Sequence, residues 1–283
     1  MQILKNVPLE KYASFRTGGN ADLLVFPANV CELVKALNEY GEDNVYGCLS
    51  NTLVGDGGVR GAVVLTTAVR GMERDGNAVT ACCGDTLSAL ANFALANSLT
   101  GAEFCYGIPG TVGGGVFMNA GAYGGEMKDI VKKVTLFSRE SGVFELSASE
   151  MEFGYRKSVL QKIKATVLKV QFALAEGEKE TIRGTMDDLM RRRKEKQPLE
   201  FPSCGSVFKR PEGFFAGALI EQCGLKGKRI GGAEVSRKHA GFIINAGGAN
   251  SADMRALTEL VKAEVKEKTG VELCEEIRFI GEP

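Results

Sequence analysis

The stretch GIPGTVGGGVFMNAGAYGG, residues 107–125, strips side chains from a long run of backbone and leaves none of the remaining ones charged. Glycine at this density is conformationally costly, because each one surrenders more backbone freedom on folding than any other residue. Two things offset such a cost: turns that need positive φ, and a backbone so close to a ligand that no Cβ fits, often with amide N–H groups aimed at phosphate. A flexible linker is the competing explanation. A Gly/Ser linker, however, does not interleave Ile108, Val112, Val116, Phe117 and Met118 among its glycines. The run reads as an ordered, partly buried loop, with Asn119 as its candidate amide reader.

At 283 residues the chain is long enough for a large core and for two or more domains. Lys plus Arg and Asp plus Glu each number 35, so no global field argues for nucleic acid. The opening MQILKNVPLEKYASF has no long apolar run, and nothing later approaches the roughly 18 apolar residues of a membrane span. A soluble, cytoplasmic protein without a membrane or protein partner is expected. The 8 cysteines show neither CxxC spacing nor nearby histidines, which argues against a disulfide framework or a metal site and for reduced thiols.

Along the chain, ADLLVFP (21–27) reads as a strand ended by Pro27, and Val30, Leu33, Val34 and Leu37 recur at helical spacing behind a capping Asn29. A strand breaking into a polar glycine loop follows, then a hydrophobic strand over 61–66. Neither GxGxxG nor a GKS or GKT word is present, so Rossmann and P-loop chemistry are unsupported. Beyond lie a helix over 87–96, the long glycine loop, β-rich runs at 130–138 and 165–174, and a helix whose basic end is stopped by Pro198. The last third holds an amphipathic helix over 251–270, with Ser251 as expected cap and Gly270 as stop, and a closing strand over 271–281. The fold class is α+β, with a boundary placed at 177–185.

The words SFRTGGNADLLVFP, SNTLVGDGG, GIPGTVGGGVFMNAGAYGGE, FGYRKSVL, PSCGSVFKRP, GGAEVSRKHAGFIIN and EEIRFIG, in this order over nearly the whole chain, resemble the UDP-N-acetylenolpyruvoylglucosamine reductases, also called UDP-N-acetylmuramate dehydrogenases. The resemblance implies a two-part FAD-binding fold of the vanillyl-alcohol-oxidase type plus a C-terminal α+β substrate-binding domain. It divides the chain into FAD-binding subdomains at 1–70 and 71–180 and a substrate domain at 181–283. It implies NADPH-dependent reduction, through FAD, of the enolpyruvyl ether of a UDP-sugar in peptidoglycan precursor synthesis. The loops 47–58 and 107–125 would then wrap the FAD pyrophosphate and pass beneath the isoalloxazine. The implied cofactor residues are Gly47, Ser50 and Asn51 in the first loop and Ile108, Pro109, Gly110, Thr111, Gly113, Gly114, Asn119, Ala120 and Tyr123 in the second. One departure is local: the family's first loop commonly reads Gly-x-Gly-Ser-Asn, and here Leu49 replaces its second glycine.

Hydride addition to the outer alkene carbon leaves negative charge beside the substrate carboxylate, so the site needs a cation or strong donors there and a proton source. By resemblance, Arg156 in GYRKS stabilises the enolate, Ser206 in CGSVF delivers the proton, and Glu276 in EEIRFIG completes the site. Taken singly, these residues also read as a solvated cation, a turn hydroxyl and a surface carboxylate. Tyr155, Arg192, Lys196 and Arg210 are the implied substrate contacts. The run RRRKEK is otherwise a solvated helix end, and the sole histidine, His239, receives no role. The 50 positions from Arg156 to Ser206, and Arg210 in GSVFKRP, resemble the family's shorter branch, which lacks an inserted tyrosine loop. A different flavin oxidase and a non-catalytic flavin binder are the alternatives; GSVF and EEIRFIG speak against the first, and Leu49 motivates the second.

Overall fold

Apolar residues alternate along 131–138 and 166–173, and these two segments are the centre of a five-stranded antiparallel sheet. Its order is Gly142–Ser147, Val131–Ser138, Thr166–Ala173, Ala78–Cys82, Met72–Asp75. A second sheet runs Gln2–Pro8, Asn20–Phe26, Val59–Leu65, Val45–Tyr46. The helix Val30–Tyr40 begins where expected: the Asn29 side chain accepts the Glu32 N–H at 2.9 Å, and Leu33, Ala36 and Leu37 are buried. The helix Leu87–Ala96, capped by Thr86, buries Leu87, Leu90, Ala91, Ala94 and Leu95 in the same cluster as the sheet residues Val134, Leu136, Val170 and Phe172. Full burial of each such leucine contributes roughly 1.5–3 kcal/mol.

The computed structural model describes residues 1–283, which fall into two compact units. The first comprises Met1–Leu4, Leu23–Cys48 and Ala62–Arg193; the second comprises Lys5–Asp22, Leu49–Gly61 and Lys194–Pro283. These units differ from the sequence-based division at 70 and 180, because the second unit draws in two N-terminal segments. The closing strand Arg278–Ile280 pairs in parallel with Thr52–Val54, and the Asn245 side chain donates to the Phe15 carbonyl at 3.0 Å. Phe15 and Leu53 accordingly lie in one core with Val207, Ile220, Leu257, Leu273 and Ile277. Pairings of this kind join residues more than 200 positions apart, and local periodicity does not encode them.

Two sequence expectations need adjustment here. The last helix, Ser251–Thr269, is capped by Asn250 and not Ser251: the Asn250 side chain accepts the Asp253 N–H at 2.8 Å, and Asp253 returns a bond to the Asn250 N–H. Gly270, at φ 74°, ends that helix as expected. The strand expected over 271–281 is regular only at Arg278–Ile280. No helix of the chain is long and apolar enough to cross a membrane. Asn250→Ala removes the reciprocal cap and is expected to destabilise the protein by about 1 kcal/mol, read as a lower urea midpoint at unchanged slope.

Candidate active site

The long glycine loop is not all loop. Val112–Phe117 forms a short helix capped by Thr111. Glycine is used there for close approach: a Cβ on Gly113 would stand 3.1 Å from the Cys83 Cβ, and one on Gly115 would stand 3.0 Å from Leu87 Cδ2. The amide of Gly113 is already bound to the Cys83 carbonyl at 2.9 Å, and that of Val112 to the Asp85 carbonyl at 2.7 Å. The Gly113 amide is thereby committed to the protein's own backbone and anchors the helix. Gly114 is exposed on the helix, Pro109 is exposed before it, and Ile108 and Gly110 are half-buried, Gly110 at φ 149°. Ala120 bonds back to the Gly115 carbonyl at 2.8 Å.

The first loop meets the second at Gly47, where a Cβ would stand 2.2 Å from the Thr111 Oγ1. In its other half, the chain itself occupies the space that glycine provides. A Cβ on Gly55 would lie 1.9 Å from the Glu282 carbonyl oxygen, and one on Gly58 would lie 2.0 Å from that of Asn20. Gly55, Gly57 and Gly58 thus make room for the protein's own strands. Leu49 adopts φ 48°, a left-handed conformation costing a side-chain-bearing residue about 1–2 kcal/mol. Its side chain is buried, and that burial offsets the strain, so leucine keeps the backbone shape that glycine allows. Half-buried Ser50 follows it.

Arg156 stands in a tight turn closed by Lys157 N–H to the Gly154 carbonyl at 3.1 Å and Gly154 N–H to the Lys157 carbonyl at 3.0 Å. Its φ of 54° is left-handed in a position where glycine or asparagine is the usual choice. The guanidinium lies 5.3 Å from the Tyr155 ring centroid and donates to the Gly121 carbonyl at 3.2 Å. Asn119 holds this turn. Fully buried at φ 43°, it donates to the Gly154 carbonyl and to Glu126 Oε2, each at 2.9 Å, and accepts the Lys128 N–H at 2.9 Å. Both amide N–H groups are committed to the protein, so the Asn119 side chain holds the arginine turn. Burial raises the Glu126 pKa, but the Lys128 ammonium and the Asn119 amide more than offset this and hold it below the ordinary carboxylate value.

In the second unit, Ser206 and Glu276 are brought together by backbone. The segment holding Ser206 bridges to Phe242 on one side and, through Phe208, to Glu275 on the other. Val207 N–H donates to the Gly241 carbonyl at 2.9 Å, while Glu276 N–H donates to the Val207 carbonyl at 2.7 Å. The Ser206 hydroxyl donates to the Phe208 carbonyl at 3.1 Å. Asn51 locks the far edge: its side chain donates to the Glu276 carbonyl at 3.0 Å, and its own carbonyl accepts the Arg278 N–H at 3.0 Å. The Asn51 side chain thus fixes the segment bearing Glu276.

A reductase named UDP-N-acetylenolpyruvoylglucosamine reductase from Clostridium novyi is 48% identical to this chain over 99% of it and 93% of the relative. The chain belongs to the UDP-N-acetylenolpyruvoylglucosamine reductase family. A protein of the same name from Streptococcus pneumoniae is 48% identical over 97% of this chain and 93% of its own length. The family's C-terminal domain model matches residues 197–280, and an FAD-binding domain model matches 21–147. The crystal structure of the Thermus caldophilus reductase superposes with a TM-score of 0.85 at 33% identity, over 99% of this chain and all of that one. The chain therefore has the two-part FAD-binding fold with the family's C-terminal domain, and it is an FAD-dependent oxidoreductase.

The glycine floor fits such a cofactor. Gly47 touching Thr111 joins the two loops, and residues 107–125 present no charged side chain to a dianionic pyrophosphate or a flat ring. Of the implied substrate residues, Tyr155 is exposed beside Arg156, and Arg192 pairs with Asp188 at 2.7 Å on an exposed helix face. Lys196 is exposed at the end of the helix Lys179–Lys196, and Arg210 lies 4.4 Å over the exposed Phe215 ring. The reading of the RRRKEK run missed Arg193. It is buried, lies 5.6 Å from the Tyr123 ring centroid, and packs against Gly107. Helical spacing carried the signal, since Ile182, Met186 and Arg193 share one buried face. A separate cavity of about 430 Å³ is lined by Phe201, Arg229, Glu234, Arg237 and Lys238, and contains none of the expected site residues.

Asn119→Asp places a carboxylate against Glu126 and the Gly154 carbonyl. It should lower stability at pH 8 by about 1–3 kcal/mol. Because burial raises the new carboxyl's pKa, the penalty grows as pH rises through it and eases toward pH 5. Melting temperatures across that range check both the loss and its sign.

Proposed function

We propose that this chain is an NADPH-dependent flavoenzyme that reduces the enolpyruvyl ether of UDP-N-acetylglucosamine enolpyruvate to UDP-N-acetylmuramate, a step in peptidoglycan precursor synthesis. The observation that supports this best is the backbone ribbon clamping Ser206 beside Glu276, at the two words that most distinguish the family from other flavin oxidases. Nearly full-length similarity to reductases named for this substrate supports it as well.

FAD, held by residues of the loops 47–51 and 107–125, would when reduced by NADPH supply the hydride for the outer alkene carbon. The electron pair of the alkene then rests on the carbon beside the substrate carboxylate and delocalises as an enediolate. Arg156 meets that charge with a guanidinium that stays protonated and presents several donors. The left-handed turn at Arg156 and its tie through Asn119 hold the residue in one orientation, so little reorganisation accompanies the charge. The Ser206 Oγ–H then gives its proton to the carbanionic carbon; the hydroxyl is a weak acid, but the carbanion is a strong base. The alkoxide regains a proton from solvent, which balances the step. Glu276 hydrogen-bonds the same intermediate and steers protonation to one face. The shorter Arg156 to Ser206 spacing leaves the site without a tyrosine lid.

Purified protein is expected to be yellow, to bleach under anaerobic NADPH, and to recover its colour on addition of UDP-N-acetylglucosamine enolpyruvate. A colourless protein that FAD does not reconstitute would sink the cofactor reading. Ser206→Ala should leave bleaching by NADPH nearly intact while slowing recovery by about 10²–10⁴-fold. Equal loss in both half-reactions would argue against the proton-donor role.

A further inference from the structure

His239 is the only histidine in the chain, and the chemistry above gives it no part. Its Nδ1 accepts the Gly241 N–H at 3.1 Å, its own N–H donates to Ser236 Oγ at 3.2 Å, and its carbonyl accepts the Phe242 N–H at 3.0 Å. The ring therefore closes the turn at 239–242 upon itself. That turn is the partner of the Ser206 segment: Gly241 accepts the Val207 N–H, and Phe242 bridges to Ser206. Gly241 marks how near the two side chains come. A Cβ there would stand 3.1 Å from His239 Cε1, 3.2 Å from Nδ1 and 3.3 Å from Ser206 Oγ.

We propose that neutral His239 is the positioning residue for Ser206: by accepting the Gly241 N–H it fixes the turn that clamps the serine, and protonation of the ring releases that clamp. The inference rests on the reading of Ser206 as proton donor. Its physics is simple. A neutral imidazole with Nδ1 as acceptor carries its proton on Nε2, whereas an imidazolium has a donor at both nitrogens and sets N–H against the Gly241 N–H. An unmade bond between buried groups cannot hold the turn.

The surroundings favour the neutral ring. Burial lowers the His239 pKa below its ordinary 6.5, outweighing a backbone hydrogen bond that raises it; the Lys226 ammonium acts with burial and the Glu221 carboxylate against it. Glu221, on the helix Ala216–Gln222, is paired with Lys226 at 2.5 Å. The Phe242 ring meets the imidazole edge-on at 4.9 Å between centroids. The neighbouring cations are engaged elsewhere, Arg237 with Glu234 and Lys238 with the Lys194 carbonyl. With the folded pKa depressed, the stabilisation is complete above pH 6.5 and is lost as pH falls from there through the folded value.

A single histidine allows a direct test on the holoenzyme. The imidazole ¹⁵N and ¹H signals are titrated by NMR, and each half-reaction is followed by stopped flow over the same pH range. The Nε2–H tautomer is expected, and flavin reoxidation by the enol ether should fall on the acid side with the histidine's own midpoint while reduction by NADPH does not. His239→Asn, whose Oδ1 stands near the place of Nδ1, should restore reoxidation and abolish that acid limb. His239→Ala and His239→Gln, which leave the Gly241 N–H without its acceptor, should slow reoxidation by about a hundredfold at every pH. Full FAD content and normal reduction by NADPH would show that they fold. Reoxidation in His239→Ala equal to that of the parent, or an acid limb that persists in His239→Asn, would overturn the proposal. Ser206→Ala separates the two layers: normal reoxidation there refutes the serine's role itself, whereas a slow Ser206→Ala beside a normal His239→Ala refutes only the positioning role of the histidine.

Discussion

The parallel pairing of Arg278–Ile280 with Thr52–Val54 is the contact on which the second unit depends. It carries the chain end past Gly55 and Gly57, where a Cβ would meet Glu282, and presents the Glu276 carbonyl to the Asn51 side chain. From that anchor the remaining order follows. Glu276 N–H fixes Val207, Val207 fixes Gly241, and Ser206 is left between two backbone neighbours with no freedom of register. Hydrogen bonds between main-chain groups set this geometry, so the positions of Ser206 and Glu276 are fixed by backbone.

A different device serves the first unit. Asn119, Tyr123 and Arg156 all hold positive φ in or against the long glycine loop. Such backbone persists only when its surroundings over-determine it. Asn119 supplies that determination with three side-chain bonds at 2.9 Å, two of them to the peptide framework around Glu126 and Arg156. Arg193, buried at Gly107, adds a cation beneath Tyr123, and burial lowers its pKa without depriving a guanidinium of its charge.

Much of this was legible in the sequence where the determinant was local. Asn29 and Thr86 cap the helices whose apolar spacing announces them, and Gly270 stops the last one. The family's words brought Arg156, Ser206 and Glu276 forward as site candidates. What escaped was set by distant pairing or by competition for hydrogen bonds. The Asn119 and Asn51 side chains have protein partners that no neighbouring residue discloses. Glycine was ambiguous for the same reason: at 113 and 55 the close approach it permits is to the protein's own backbone and side chains. Leu49, where the family commonly has glycine, adopts a left-handed backbone that glycine also allows.

The strand order also fixes a schedule for synthesis. Phe15 and Leu53 emerge early, but the core that covers them needs Val207, Leu257, Leu273 and Ile277. At about 5–20 residues per second, a ribosome takes on the order of 10–40 s to travel from the second of the early segments to the closing strand. Throughout that interval these apolar side chains lack their native cover, while the first unit, complete at Arg193, is free to fold. The second unit thus completes its core only after its last strand has been made, long after Phe15 and Leu53.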